Sequence, residues 1–487
     1  MSIRRIGDDR GAGRPVPIAI AVPGEALVGW TVREALRELG LGDRLGDDIH
    51  VAPDGTVRHQ DLVTRLSSNE DVVALFSAID ESIDPDFAMQ VLRDIEITRQ
   101  DRFANDYFLN GDVLDGTGAT QRTQRNSLPA HYLKGRAFQL ARAPGPRVEP
   151  IIAEGLADDA EVAALLAKLK GALPGHPAEH ALESQTLISV RTASSERSVR
   201  IPGSGMTLKL PLLKNHTAYC VRPIPEAHLQ ACLDQSQELA RRSETLSKHF
   251  AFLPEFAGLP GDEASVLVRS ERPFPPAPKE TWVIRGYSLT SVDLHHPTQP
   301  PALIRMARAA QRAGHDPIAW ALERIVRPLI EVGLDVHVDL RARGSIHRQN
   351  LGIELDANGP TGRWVVQDLS DLELDASVEA SRHSFGVFVI SHHLRTFDAV
   401  LREYYPDETD RILDGIQREL ADALAARSAQ LDAEDMGPFR KIRDLAAQRK
   451  YKWIRNDEVD AARTKMRERQ QAKIERITRL LGPRSKR

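Results

Sequence analysis

The stretch from Ser184 to Arg222, SQTLISVRTASSERSVRIPGSGMTLKLPLLKNHTAYCVR, constrains this chain more than any other. Its Val, Ile, Leu and Thr runs are broken by Pro202-Gly203-Ser204-Gly205, a pattern that predicts short strands joined by a hairpin-like turn. Ser189, Arg191, Thr192, Lys209, Thr217 and Arg222 sit in or beside those runs. Arg offers a planar fork of donors to phosphate or carboxylate, Lys a point charge, and Ser and Thr an adaptable donor. Cationic and hydroxyl groups gathered at strand ends therefore suit an anion. A solvated, charged β-ribbon carries the same pattern, and only the rest of the chain separates the two readings.

That rest is long: 487 residues hold two or three domains or one large multi-lobed enzyme. A formal charge of −4 gives no general attraction to nucleic acid, but its distribution is uneven. Residues 440–487 carry 17 Lys/Arg against 6 Asp/Glu, so +11 lies at the C-terminus and −15 on the remainder. Cys220 and Cys232 make neither a disulfide framework nor a four-ligand zinc site by themselves, which fits a reducing cytoplasm. The apolar run 16–22 contains Pro17 and is too short to span a membrane, so the expectation is a soluble, unexported protein.

Along the chain, residues 1–15 read as a leader and 16–22 as a strand. Thr31 to Glu34 has capping-box spacing before a short helix, and a second helix is expected from about Asp61. Val72, Leu75, Phe76 and Ile79, then Met89, Leu92 and Ile95, recur at helical spacing and predict core-facing helix interrupted near Pro85. Pro225 opens a helix with Leu229, Leu233, Leu239 and Ala240 on its buried face. Residues 265–269 and 281–285 read as strands around a proline-rich loop. Residues 317–332 read as helix and 333–339 as strand, because Leu334, Val336 and Val338 alternate with Asp335, His337 and Asp339. Asn358-Gly359 marks a hairpin, and the chain from about Ser391 reads as mostly helical.

There is no phosphate-binding Gly-rich loop ending in Lys-Ser/Thr, no Gly-x-Ser-x-Gly elbow and no His-Glu-x-x-His. The adjacent pairs His295-His296 and His392-His393 are read as structural or surface histidines, since neighbours on a helix point about 100° apart and rarely share one ion. His131, Lys134 and Arg136 lie within six residues of one another beside Gly135 and form a candidate anion pocket. His347-x-Gln349-Asn350 followed by Asp368 places amides, an imidazole and a carboxylate at adjacent strand ends. These groups suit triphosphate oxygens and a Mg²⁺ ion.

Taken in order, these pieces resemble the NRPS-independent siderophore synthetases of the aerobactin-synthetase (IucA/IucC-like) family. Ser189, Arg191 and Thr192 match its Ser-x-Arg-Thr motif, Lys209-Leu210 its later Lys-Leu, and Thr217 and Arg222 the residues beyond. His347, Gln349 and Asn350 match its His-x-Gln-Asn, and Asp368 its downstream Asp. The resemblance covers roughly residues 70–405. The sequence departs from the pattern at Leu128 in place of His, Ser345 in place of Glu, and Gln367 in place of Arg. His337 and Asp339 are the nearby candidates to take the place of that Glu.

The resemblance implies a mixed α+β, multi-lobed fold around a central cleft. Its parts would be a mainly helical N-terminal lobe over 1–115, a central antiparallel β-ribbon lobe over 116–255, and a C-terminal lobe over 256–487 with a β-hairpin, helices and the basic tail. It also implies a cytoplasmic ATP-dependent ligase that adenylates a citrate-like or other polar acid and condenses it with an amine or hydroxyl. ATP and Mg²⁺ would be the cofactors. Arg191, Lys209, Arg222 and His347 would be catalytic, with Ser189, Thr192, Gln349 and Asn350 also on the nucleotide and Asn350 and Asp368 on Mg²⁺. His131, Lys134, Arg136, Thr217 and Arg222 would hold the acid. Homodimers are common in such enzymes. Two other readings stand beside this one: a relative that binds ATP or a carboxylate without turnover, and a nucleic-acid-binding protein using the basic tail, which the acidic body disfavours.

Overall fold

The computed structural model describes residues 49–51, 56–59, 62–65, 69–80, 83, 85, 88, 92, 138–142, 149–153, 155–156, 159–169, 173–175, 186–192, 197–201, 204–211, 223–261, 264–278, 281–290, 300–356, 358–429 and 433–449. Its strands, in chain order, are β1 (Ile49–Val51), β2 (Thr56–His59), β3 (Leu62–Arg65), β4 (Phe138–Arg142), β5 (Ile151–Ile152), β6 (Pro174–Gly175), β7 (Thr186–Thr192), β8 (Ser198–Ile201) and β9 (Met206–Lys209). They continue as β10 (Phe250–Phe252), β11 (Glu255–Leu259), β12 (Val266–Ser270), β13 (Trp282–Arg285), β14 (Arg343–Gly344), β15 (Leu351–Asp356), β16 (Gly359–Val366) and β17 (Leu372–Glu373).

Two sheets organise the molecule. The larger is eight-stranded, ordered β5-β11-β12-β9-β8-β7-β4-β6, with every pairing antiparallel. The smaller is four-stranded, ordered β10-β16-β15-β13, with β10 parallel to β16 and the other pairs antiparallel. The chain is of the α+β class. The turn through Ser204-Gly205 joins β8 to β9, with Gly205 at φ +64°, a left-handed value that glycine adopts without a Cβ penalty. The Asn358-Gly359 turn joins β15 to β16 with Gly359 at φ +114°.

Each sheet buries its own apolar core. Val190, Val199, Leu208, Phe256 and Val268 of the larger sheet pack with Leu229, Cys232 and Leu233 of the helix Glu226–Ser243. The same helix sends Leu239 into the second core, among Phe250, Ile284, Leu351, Trp364 and the C-terminal helices. It is therefore the wedge that fixes one sheet against the other. The fit is close: a Cβ on Gly258 of β11 would stand 2.4 Å from Leu229 Cδ2. In the second core the Trp364 indole donates to the Ile325 carbonyl at 3.1 Å, so its polar edge is satisfied where its ring is buried.

Two expectations are corrected. The segment 333–339 is helix, continuing the helical path from Pro317 and widening at Leu322–Val326 and Asp335–Asp339. Its alternation mimics a strand, yet Asp335 and His337 are buried as fully as Leu334 and Val336. Asp335 and His337 each bond to partners inside the protein, so polarity does not mark an outer face. Asp335 receives the Ser247 backbone N–H at 3.2 Å and Arg427 at 3.1 Å. The second correction is near Asp61, where β3 pairs with β2 in a three-stranded sheet and no helix begins. Leu62, Val63 and Thr64 are β-prone, and a cross-strand partner outweighs the helical spacing. The helix expected over the next segment is present at Asn69–Ile79, with Val72, Leu75 and Phe76 buried. No helix among the described residues is long and apolar enough to cross a membrane.

Candidate functional site

The register of the larger sheet builds a charged row. Arg191 of β7 pairs with Arg200 of β8, Arg200 with Thr207 of β9, Thr207 with Arg269 of β12, and Arg269 with Glu255 of β11. Five adjacent strands thus place three arginines, a threonine and a glutamate in line. Lys209 lies two positions beyond Thr207 and therefore on the same face. Of Ser189, Arg191 and Thr192 only the backbone positions are described.

Apart from Arg191, whose side chain is not described, the residues of this row are buried. Arg200, Thr207, Lys209, Glu255 and Arg269 are each less than 5% exposed. Such charges persist inside a protein only when paired and hydrogen-bonded. Arg269 Nη2 meets Glu255 Oε1 at 2.6 Å and Asp368 Oδ1 at 2.9 Å, and Lys209 Nζ also pairs with Asp368. Beyond the end of β12, Glu271 accepts from Arg200 at 2.7 Å and from Thr207, and faces Arg285 of β13 at 3.7 Å. The contacts Arg269–Asp368 and Arg285–Glu271 tie the larger sheet to the smaller.

Asp368 follows β16 in a left-handed conformation, φ +62°, which Asp tolerates better than most side chains. Burial alone pushes its carboxyl up, but the Lys209 ammonium and Arg269 guanidinium overcome that and hold it well below the usual range. Glu271 behaves alike: burial opposes ionisation, Arg200 and Arg285 outweigh it, and the group is lowered to about 2. Beneath the site the Cys232 thiol is pushed up to about 12, chiefly by burial and then by the Glu255 charge. It is a free, buried cysteine and stays protonated.

From the smaller sheet, Gln367 donates its backbone N–H to the Asn350 carbonyl at 2.9 Å, bringing Asn350 beside Asp368. Asn350 Nδ2 donates to the Ser345 carbonyl and to Asp371 Oδ2, each at 3.1 Å. Gln367 is a buried bridge: Nε2 donates to the Gln349 carbonyl at 2.6 Å while Oε1 faces Arg269 Nη1 at 3.5 Å. His347 Nδ1 accepts the Gln349 N–H at 3.2 Å, and burial lowers its pKa against the pull of Asp368. The neutral form of the ring is therefore favoured.

The structure thus brings together Lys209, His347, Gln349, Asn350 and Asp368. His131, Lys134, Arg136, Thr217 and Arg222 lie outside the described residues. His337 and Asp339 do not replace the missing carboxylate at Ser345. His337 Nδ1 bonds to the Ala342 carbonyl at 2.8 Å, and Asp339 pairs with Arg427. Sequence reasoning missed Arg200, Glu255, Glu271 and Arg285 as members of the constellation. A signal was present for Arg200 and Arg285, each a single cation in a strand otherwise fit for burial, but the partners are distant in sequence.

No known family model matches this chain, and no curated protein matches it. Solved structures do. ATP-bound aerobactin synthetase IucA from a hypervirulent pathotype of Klebsiella pneumoniae is 12% identical over 76% of this chain and 82% of that one, at a TM-score of 0.49. Aerobactin synthetase IucC from the same source is 14% identical over 80% and 82%, also at 0.49. Petrobactin biosynthesis protein AsbB from Bacillus anthracis str. Sterne is 12% identical over 83% of each chain, at 0.46. Similarity of that degree does not by itself decide what the chain does.

Proposed function

We propose that this chain is an ATP-dependent ligase of the NRPS-independent siderophore synthetase kind, one that adenylates a carboxylic acid and passes the acyl group to an amine or hydroxyl. The observation that carries this reading is the buried cationic row ending at Asp368 and Asn350. Lys209 and Arg269 provide positive charge beside the Asp368 carboxylate, which they hold ionised. As an acid attacks the α-phosphorus of ATP, negative charge builds on the phosphate oxygens. Fixed cations in a dry site stabilise it without reorganising. Lys209 changes partner from Asp368 to phosphate in this scheme, and Arg269 keeps its place through Glu255.

Asp368 and Asn350 fit a Mg²⁺ ion by chemistry, since hard cations take oxygen ligands and Mg²⁺ commonly binds through one or two carboxylates plus phosphates and water. Both hydrogen bonds of the Asn350 amide use its nitrogen, which leaves the oxygen for the cation. Held by Asp368 and Asn350, such an ion would supply charge neutralisation at the ATP phosphates. Gln349 and neutral His347 would donate to phosphate or acid oxygens.

ATP–pyrophosphate exchange with purified protein, Mg²⁺ and a panel of citrate, succinate, 2-oxoglutarate and amino acids tests the reading. Acid-dependent exchange is expected. ATP binding with no exchange for any acid would overturn it in favour of the relative without turnover, for which Leu128, Ser345 and Gln367 are the motivating departures.

A further inference from the structure

A cavity of about 810 Å³ opens between the β15–β16 hairpin and the corner where the helix Ala302–Arg312 meets the helical path from Pro317. Its volume falls in the range of about 300–1,000 Å³ usual for small-molecule sites. It is remote from the chemistry proposed above. Thr361 in its lining and Val366 stand towards opposite ends of β16, and five strand residues at about 3.3 Å each put about 16 Å between them. One wall is apolar and built from small side chains. Ala309, Ala310, Ala313 and Ala319 contribute methyl groups, which keeps the space open, and the half-buried Trp320 indole borders it.

The opposite wall is polar, and its hydrogen-bonding roles are fixed. Glu354 of β15 is fully buried, and its carboxylate accepts from Thr281 Oγ1 at 3.0 Å, Thr361 Oγ1 at 2.8 Å and Arg363 Nη1 at 3.3 Å. A carboxylate paired with a guanidinium only accepts, so both threonine hydroxyls spend their protons on it. What they keep for a ligand is lone pairs. Arg363 directs its other terminal nitrogen to the Pro275 carbonyl. Asp356 adds a carboxylate at the hairpin end, its Oδ1 accepting the Asn358 N–H at 2.7 Å. Across the lining Asp316, Glu323, Glu354 and Asp356 stand against Arg324, Arg363 and His315, and Arg411 from outside pairs with Asp316 at 2.8 Å. With the imidazole neutral the balance is acidic.

We infer that this cavity is a second ligand site, and that it takes a small planar organic cation bearing N–H donors, of the arylamidine class. The ring lies against Trp320 and the alanine wall, and the N–H groups meet the acceptors of the polar wall in charge-assisted hydrogen bonds. An anion of the same shape brings no proton to those acceptors and is repelled by the carboxylates. A neutral alcohol brings a proton but no charge. The site takes no part in acyl transfer, and it stands independently of the ligase reading.

Isothermal titration of the full-length protein with benzamidine, benzoate and benzyl alcohol, which share one ring, tests the inference. Benzamidine is expected to bind with a Kd below about 1 mM and about ten-fold or more tighter than either of the others. Thr281→Val removes one acceptor at nearly constant volume and should weaken benzamidine about three- to ten-fold, the worth of one hydrogen bond. Ala319→Leu, a change at an exposed position, puts an isobutyl group into the cavity and should weaken it about ten-fold. Thermal melts check that both variants fold; if Thr281→Val does not, Asp356→Asn replaces it, since an amide oxygen keeps the bond to the Asn358 N–H. No benzamidine binding to the wild type would overturn the inference. So would equal affinity for the three probes, or an affinity for benzamidine unchanged in Ala319→Leu. Failure of pyrophosphate exchange in the wild type would end the ligase reading and leave this site untouched.

Discussion

Arg269 and Asp368 lie 99 positions apart in sequence and meet at 2.9 Å, one on the eight-stranded sheet and the other at the end of the four-stranded sheet. The guanidinium also grips Glu255 at 2.6 Å, so it is anchored in its own sheet while reaching into the next. Lys209 shares the same Asp368 oxygen. Asp368 is therefore doubly held, and losing one cation leaves it paired.

That redundancy separates activity from folding at Lys209. Lys209→Met should leave a folded protein, because Arg269 continues to neutralise Asp368. If Lys209 meets phosphate in the transition state, its removal costs about 10²–10³ in rate, the usual cost of losing one charge-stabilising donor. Pyrophosphate exchange alongside a thermal melt checks both halves. Full exchange in a folded variant would take Lys209 out of the mechanism.

Glu271 has the opposite character. It is the shared counter-charge of Arg200 and Arg285, both nearly inaccessible to solvent. Glu271→Gln strips that charge and leaves two buried guanidiniums facing an amide. Removing one partner of such a group costs about 3–5 kcal/mol. A fall of that size in unfolding free energy by urea titration is expected, with Glu271→Asp losing less.

Two buried histidines set an acid limit. Burial lowers His337 to about 4 and His393 to about 3, and each ring bonds a backbone carbonyl at 2.8 Å, of Ala342 and Ile346 respectively. Below pH 6.5 the unfolded chain protonates rings that the folded protein keeps neutral, so stability drops as pH falls toward those values. Between pH 6.5 and 5 the loss is about 2 kcal/mol per histidine. His393→Asn should flatten the melting temperature against pH in this window; an unchanged slope would show that His393 is not its source.

Asp339 works in the reverse sense. Burial raises it to about 6, helped by the neighbouring Asp335 carboxylate and opposed by Arg427. The folded protein holds a proton there that the unfolded chain releases above about pH 4, so stability declines as pH rises from about 4 to about 6. Asp339→Asn is expected to gain stability at pH 7 relative to wild type and to lose that advantage at pH 4.

The contact of Gly258 with Leu229 invites a paired test. Gly258→Ala puts a methyl group 2.4 Å from Leu229 Cδ2, and overpacking of a tight core costs about 1–3 kcal/mol. Adding Leu229→Ala should give back part of that loss, so that the double variant is more stable than the sum of the single effects predicts. Additive effects would show that the strand and helix part without strain.

Much of the site is legible in the amino-acid sequence. The β-prone run carrying Ser189, Arg191 and Lys209 forms β7, β8 and β9 around the expected turn, and the Asn358-Gly359 hairpin sets Asn350 next to Asp368. These follow from local chemistry, because a turn residue and a strand alternation are written in neighbouring positions. The misleading signal is local as well. The alternation at 333–339 mimics a strand, since burial of Asp335 and His337 depends on Ser247, Arg427 and Ala342.

By itself, then, the sequence determined the mixed helix-and-strand class, the hairpins and the residue types that suit an anion. Only the tertiary structure decided which cations share a row, that Arg200 and Arg285 answer to Glu271, and that Asp371 lines a cleft beside Asn350. Register between distant strands and the packing of Glu226–Ser243 between two cores settle those matters. Both draw on contacts between segments apart in sequence, 71 positions for Arg200 and Glu271 and 137 for Gln235 and Leu372, and no local pattern encodes them.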